Sequence, residues 1–197
     1  PPEADKKLDV IPNADRFASR TEWIERYEEL LNSHFPQGQW LNGLRIVTDC
    51  ANGAMSVVAP ELLRRLGADV NVICASPDGK NINAGCGATD LGLLSRTVAA
   101  GDFDLGVAFD GDGDRLICVD DKGEVRDGDY ALATCGHHLA SQGRLPGGVV
   151  VSTVMANRGL EHSLRGAGIR MVKTQVGDRY VLEEMARIGA VLGGEQS

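Results

Sequence analysis

"LRIVTDCANGAMSVVAPELLRRLGADVNVICA", residues 44–75, decides the fold. "LRIVTDC" is a short apolar run, and Asn52-Gly53 marks a turn after it. From Met55 to Gly67 the apolar residues recur at helical spacing, and Gly67 stops the helix. "ADVNVICA" then returns to a β-branched run too short for a helix. Strand, helix and strand in this order imply an α/β layer with a mostly parallel sheet.

Moving toward the C-terminus, "TDLGLLSRTVAAG" is a second helix, capped by Thr89 or Asp90. "DLGVAF" and "LICVD" are strands on either side of a tight loop, which implies one antiparallel edge pair over 104–120. "DGDYALATCGHHLASQ" is a helix, and "GRLPGG" at 143–148 is the most boundary-like stretch. After it the alternation restarts: strand "VVVSTV", helix "NRGLEHSLRGAG", strand "IRMVKTQ", helix "DRYVLEEMARIG", strand "AVLGG". Toward the N-terminus, "SRTEWIERYEELLNS" is an amphipathic helix with a Ser19–Glu22 capping-box spacing. Trp23, Ile24, Tyr27, Leu30 and Leu31 share one face; Ser33 ends the helix and Pro36 stops it. The polar, aperiodic residues 1–18 read as a linker. The expected fold class is α/β: two consecutive α/β units with mixed, mostly parallel sheets and helices packed on them. The expected divisions are 1–37 (linker and terminal helix of a preceding domain), 38–143 and 144–197.

A chain of 197 residues that is 43% hydrophobic and 24% charged has room for one large domain or two small ones. The net charge of −8 argues against nucleic acid or an anionic membrane as main partner, since both need a basic face. It leaves open a small anion held by a few local Arg or Lys. The five cysteines include no C-x-x-C pair, so spacing indicates neither a zinc motif nor a disulfide framework. A reducing, cytoplasmic setting is expected, with Cys acting mostly as a small core residue. No stretch reads as a signal peptide or is apolar enough to cross a bilayer.

"AFDGDGDRLICVDD", residues 108–121, places five aspartates in fourteen residues. Carboxylates about 4 Å apart repel by roughly 4 kcal/mol per pair at an effective dielectric near 20. Asp110, Asp112 and Asp114 alternate with Gly111 and Gly113, which let the loop curl and aim alternate oxygens at one point. Such a set suits a hard divalent cation, Mg²⁺ or Ca²⁺. A solvated Asp-Gly hairpin turn is the bland alternative. A calcium EF-hand needs Gly at position 6 and Glu at position 12, where this chain has Arg115 and Asp121. A Mg²⁺-dependent phosphatase with Asp110 as nucleophile, and a non-catalytic cation-binding module, stay open. Arg115 beside the acids fits a phosphate that bridges the metal and pairs with the guanidinium. Asp120 and Asp121 read as capping the strand end. His137 and His138 read as ordinary helix residues, and Gly85 and Gly87 as a weak anion-loop signal.

Four segments, "DCANGA" at 49–54, "FDGDGDR" at 109–115, "VGDRYV" at 176–181 and "GGEQS" at 193–197, stand in the order found in the α-D-phosphohexomutases, which the chain resembles. Within that family, "DGKNINAGCGATD" at 78–90 and the Glu-Gln-Ser segment are most similar to members that interconvert glucosamine 6-phosphate and glucosamine 1-phosphate. The alternative is a member acting on mannose or glucose phosphates. The resemblance implies transfer from a phosphoserine to the sugar phosphate through a bisphosphate, with Mg²⁺ as cofactor. It implies Asp110, Asp112 and Asp114 as metal ligands and Arg115 as the catalytic contact to the transferring phosphoryl group. Glu195 and Ser197 would bind the sugar hydroxyls. Asp178 and Arg179 would be further substrate contacts, and Lys173 would substitute for a family lysine at the position of Gln175. The partner implied is a phosphorylated hexosamine, and the parent would pair as a homodimer. The family's phosphoserine loop belongs to a first domain, and a fourth domain grips the other phosphate. The chain therefore reads as a central piece of a longer polypeptide, inactive by itself and a weak binder of Mg²⁺.

Overall fold

The computed structural model describes residues 20–34 and 38–196. The expected linker, Ser19, Pro36 and Ser197 lie outside them. Two compact units result, one up to Gly38 and one from Gln39 onward.

The first unit contributes one described helix, α1 (Arg20–Ser33). It ends where expected, with the Ser33 hydroxyl donating to the Leu30 carbonyl at 2.6 Å. Its expected apolar face is not its covered face. Trp23, Tyr27 and Leu30 are exposed, whereas Ile24 and Leu31 are half-buried and Glu28, between them at helical spacing, is buried. Periodicity finds a stripe of side chains but not what covers it.

The second unit holds two sheets. The five-stranded sheet contains β1 (Arg45–Asp49), β2 (Asp69–Ile73), β3 (Leu105–Phe109), β4 (Leu116–Asp120) and β5 (Val125–Arg126), in the order β2-β1-β3-β4-β5. β1 pairs parallel with β2 and β3, and β3–β4 and β4–β5 are antiparallel. The expected antiparallel pair is thus extended by β5, too short to show any alternation in sequence. β1 lies between β2 and β3 in the parallel part of the sheet, so both its faces need cover. Ile46 points with Ala68 and Val107 toward α2 (Met55–Arg65), whose Leu63 packs there. Val47 points the other way, to Leu94 and Val98 of α3 (Gly92–Ala100) with Ala108 and Val119. α3 starts later than the sequence suggests; the Asp90 side chain accepts the Gly92 N–H at 3.2 Å.

The smaller sheet pairs β6 (Val149–Thr153) with β7 (Arg170–Thr174) in parallel. "AVLGG" forms no strand. It runs beside β6 through one bridge, Val151 with Gly193, because Val151 donates to the Leu192 carbonyl and Gly194 donates back at 3.1 Å each. One face of this sheet is covered by α4 (Gly128–Ser141) and α5 (Arg158–Gly166), through Leu132, Val150, Leu160 and Leu164. The other is covered by α6 (Asp178–Ile188), whose Val181 and Met185 lie against Gly193. Side-chain packing therefore places α4 with the second sheet, whereas the expected division at 144 groups it with the first. Its apolar stripe suits either sheet, and only the partners distinguish them.

Leu94 is fully buried in the α3 cluster. Leu94→Ala should cost about 2–5 kcal/mol of unfolding free energy, measured by urea denaturation, because the rigid sheet behind it cannot collapse onto the void.

Candidate functional site

The aspartate loop sits between β3 and β4 and rests on two other loops. β1 ends in Asp49, whose fully buried carboxylate accepts the Ala51 N–H through Oδ1 and the Gly87 N–H through Oδ2, both at 2.9 Å. Those bonds hold the turn after β1 and the 81–88 loop together. Asn83 N–H also donates to the Ala51 carbonyl at 2.9 Å. The aspartate loop then lies on both. The Gly111 carbonyl accepts the Ala54 N–H at 2.9 Å, and the Phe109 carbonyl accepts the Ala88 N–H at 2.8 Å. The backbones are so close that a Cβ on Gly53 would overlap the Gly111 carbonyl.

Held this way, the loop brings carboxylate oxygens of Asp110, Asp112 and Asp114 within 4.8 Å of one another. Asp110 is buried, and Asp112 and Asp114 are exposed. Arg115 grips Asp110 twice: its N–H donates to Oδ1 at 3.1 Å and its Nε to Oδ2 at 2.9 Å. Burial alone would raise the Asp110 pKa, but the backbone and side-chain bonds from Arg115 outweigh it and hold the carboxyl below the usual range. Asp114 goes the other way, raised chiefly by the charge of Asp110, then by burial and by Asp112. Two acids pushed apart in this manner mark a place where negative charge exceeds what the protein supplies to balance it. Each oxygen of Asp110 keeps a lone pair beyond its Arg115 bond. The donor set is all oxygen, which fits a hard divalent cation.

The loop forms one wall of a cleft of about 740 Å³. Asp114, Arg115 and Leu116 face Asp178, Arg179, Leu182 and Met185 of α6, with Gly193–Glu195 between them. Glu195 is fixed by its Oε1 accepting the Gly177 N–H at 2.7 Å. Gln196 is fixed by its carbonyl accepting the Gly128 N–H at 2.8 Å. The Arg179 guanidinium pairs with Glu183 at 2.7 Å and is largely exposed. Five of the expected site residues, Asp114, Arg115, Asp178, Arg179 and Glu195, thus line one cleft. Lys173 does not. Its Nζ pairs with Glu161 of α5 at 3.1 Å, and the residue is absent from the cleft lining.

Each half of the chain matches a family model. Residues 21–123 match "Phosphoglucomutase/phosphomannomutase, alpha/beta/alpha domain II", and residues 127–197 match domain III of the same family. The chain belongs to the phosphoglucomutase/phosphomannomutase family. A relative named phosphoglucosamine mutase from Desulforudis audaxviator is 59% identical over 174 residues, covering 88% of this chain and 38% of the relative. Another of that name, from Solibacter usitatus, is 56% identical, covering 80% of this chain and 35% of the relative. The chain therefore spans well under half the length of these relatives. A solved phosphoglucomutase/phosphomannomutase family protein from Burkholderia thailandensis superposes with a TM-score of 0.74 at 26% identity, covering 88% of this chain and 37% of that one. The fold of a phosphomannomutase-like protein from Thermus thermophilus agrees with a TM-score of 0.73 at 23% identity over 88% of this chain and 41% of that one.

Within this family frame, sequence reading missed Asp49 and Asp127. Asp49 sits in the quoted "DCANGA" but looks like an ordinary turn residue. Asp127 caps α4, accepting the Asp129 and Tyr130 N–H groups, and so sets the helix end on which the Gln196 carbonyl rests. The signal for it was present in the Asp preceding Gly128 at a helix start.

Two outcomes test this geometry. Gly53→Ala should destabilise the chain by about 1–3 kcal/mol or more in denaturant unfolding, because two backbones must separate. The depressed Asp110 pKa gives a contribution to stability that is present above the ordinary carboxylate pKa of about 3.9 and is lost as pH falls through the lower, folded value. In metal-free protein, Arg115→Gln should raise the Asp110 pKa. Carboxyl ¹³C titration by NMR measures it, and an unchanged midpoint would contradict the assigned role of the guanidinium.

Proposed function

We propose that the chain supplies the metal-binding and sugar-binding domains of a phosphoglucosamine mutase, which interconverts glucosamine 6-phosphate and glucosamine 1-phosphate. The observation that carries this reading is the convergence of three carboxylates in one loop, whose Asp114 and Arg115 line a cleft opposite the N-terminus of α6 and Glu195. Relatives of that name, at 47–59% identity, support the choice of an amino sugar over mannose or glucose.

Asp110, Asp112 and Asp114 would hold Mg²⁺, which when bound offsets charge on phosphoryl oxygens. Arg115, anchored by Asp110, would donate N–H bonds to the phosphoryl group in transit. The partly positive N-terminus of α6, together with Arg179, suits the anionic phosphate of the sugar. Glu195 keeps one carboxylate oxygen for a sugar hydroxyl while the other stays on Gly177. Ser197 would add a hydroxyl to the sugar contacts, and Asp178 would accept from the sugar. The phosphatase alternative loses support because the Asp110 oxygens are both bonded to Arg115 and the residue is 3% exposed, a poor state for an in-line nucleophile. The phosphoserine of the family lies in a domain other than the two matched here. This chain alone is expected to hold Mg²⁺ weakly and to give no turnover.

The test uses ³¹P NMR of glucosamine 6-phosphate with the complete parent polypeptide. Appearance of glucosamine 1-phosphate, lost by about 10²-fold or more in Asp112→Asn and in Arg115→Ala, is the expected result. Faster turnover of mannose 1-phosphate than of glucosamine 1-phosphate would reassign the substrate, and free phosphate as the main product would make the protein a phosphatase. Turnover by the isolated chain would overturn its proposed inactivity.

A further inference from the structure

A second set of ligating side chains converges beneath the aspartate loop. An oxygen of Asp49 and the sulfurs of Cys74 and Cys86 all lie within 4.8 Å of one another. Three segments supply them: the end of β1, the residue after β2, and the 81–88 loop. Linear spacing conceals the group, since no two of these residues stand in a C-x-x-C pattern. Asp49 and Cys86 are fully buried, and Cys74 is half-buried, so the cluster approaches solvent on one side. Asn52 Nδ2 donates to Cys86 Sγ at 3.7 Å. Burial, and then the charge of Asp49, pushes the Cys74 thiol up to about 12. Burial raises Cys86 as well, with Asp49 adding to it against a bond from Cys74.

We infer that Asp49, Cys74 and Cys86 form a second metal site, selective for a soft or borderline divalent cation such as Zn²⁺ or Cd²⁺ and separate from the all-oxygen loop at 110–114. The chemistry sorts the two: two sulfurs and one oxygen favour the softer ion, three oxygens the harder one. The spacing suits the assignment. Zn–S bonds of about 2.3 Å and Zn–O bonds of about 2.0–2.2 Å place ligand atoms under about 4 Å apart, so the group needs to contract by less than about 1 Å. Each oxygen of Asp49 accepts one N–H and keeps a lone pair for the ion. Both thiols lose a proton as the sulfur–metal bonds form, so one cation enters and two protons leave to solvent. Water completes the fourth position on the Cys74 side. The raised thiols make binding weaken as pH falls. The occupied site would join the end of β2 to the two loops on which the aspartate loop rests.

The test is a Cd²⁺ titration of the reduced, purified chain in excess Mg²⁺, followed by the ultraviolet thiolate-to-cadmium charge-transfer band. The expected result is saturation at one Cd²⁺ per chain with two protons released, no displacement by Mg²⁺, and a raised Tm. Cys74→Ser should abolish the band, while Cys135→Ser and Cys118→Ser should keep it. A missing band, a band that survives in Cys74→Ser, or one displaced by Mg²⁺ would overturn the site. Should Cys74→Ser fail to fold, ¹¹³Cd NMR of the unmodified chain decides: a shift in the two-thiolate range supports the site, and one in the all-oxygen range refutes it.

Discussion

The carboxylate of Asp49 is the interaction on which the arrangement around the aspartate loop depends. A parallel strand ends with backbone N–H groups that must turn away into loops, where they need partners. Asp49 supplies two, and in doing so joins the turn after β1 to the 81–88 loop. Hydrogen bonds of this charged type contribute about 1.5–3 kcal/mol each. They offset local strain, for Ala51, Asn52, Cys74 and Asn83 all adopt left-handed backbone angles that cost a non-glycine residue roughly 1–2 kcal/mol. The aspartate loop has its own brace in Arg115, which bonds both oxygens of Asp110. Its carboxylates still repel one another, and Gly53 and Gly111 allow it to lie directly against the turn after β1.

The opposite wall of the cleft is assembled by α4 as much as by α6. Asp127 caps α4, the Gly128 N–H holds the Gln196 carbonyl, and Asp129 accepts the Asn157 N–H at the start of α5. One helix end therefore positions both the Glu195 segment and the first turn of α5. Asp129 Oδ1 is buried without a hydrogen-bond partner, so a cost is accepted at this junction. Gly128 permits the contact, since a Cβ there would collide with the Glu195 carbonyl. Local chain geometry at two glycine contacts, Gly53 with Gly111 and Gly128 with Glu195, thus fixes the two walls.

The alternation of strands and helices was legible because each element carries its own period. The aspartate loop was legible because three like charges separated by glycine have few stable uses. What escaped reading was relational. The apolar residues of α4 fit either sheet, and only its contact with Val150 and Leu164 assigns it. Two residues of β5 contain no pattern, and "AVLGG" has a strand's composition but meets β6 at a single bridge. The α1 stripe predicted a covered face at Trp23 and Tyr27, yet the covered position is Glu28. Lys173 was placed by the family resemblance, as a stand-in for a lysine at the position of Gln175, and a nearby Glu161 drew its ammonium elsewhere. Asp49 resembles a turn residue until the Gly87 N–H, far along the chain, is seen to require it.

The outer strands carry a further consequence. β2 ends the larger sheet with Asp69 and Asn71 exposed, and β7 flanks the smaller one with Arg170 and Lys173 exposed. An open edge is a template on which another chain could extend the sheet. Charged and amide side chains at these margins make such stacking unfavourable, because a joining strand would have to strip their water. β5, at the other margin of the larger sheet, is only two residues long and offers too few bonds to nucleate it. Resistance to aggregation is thus built into the rims of sheets whose inner strands are rich in valine.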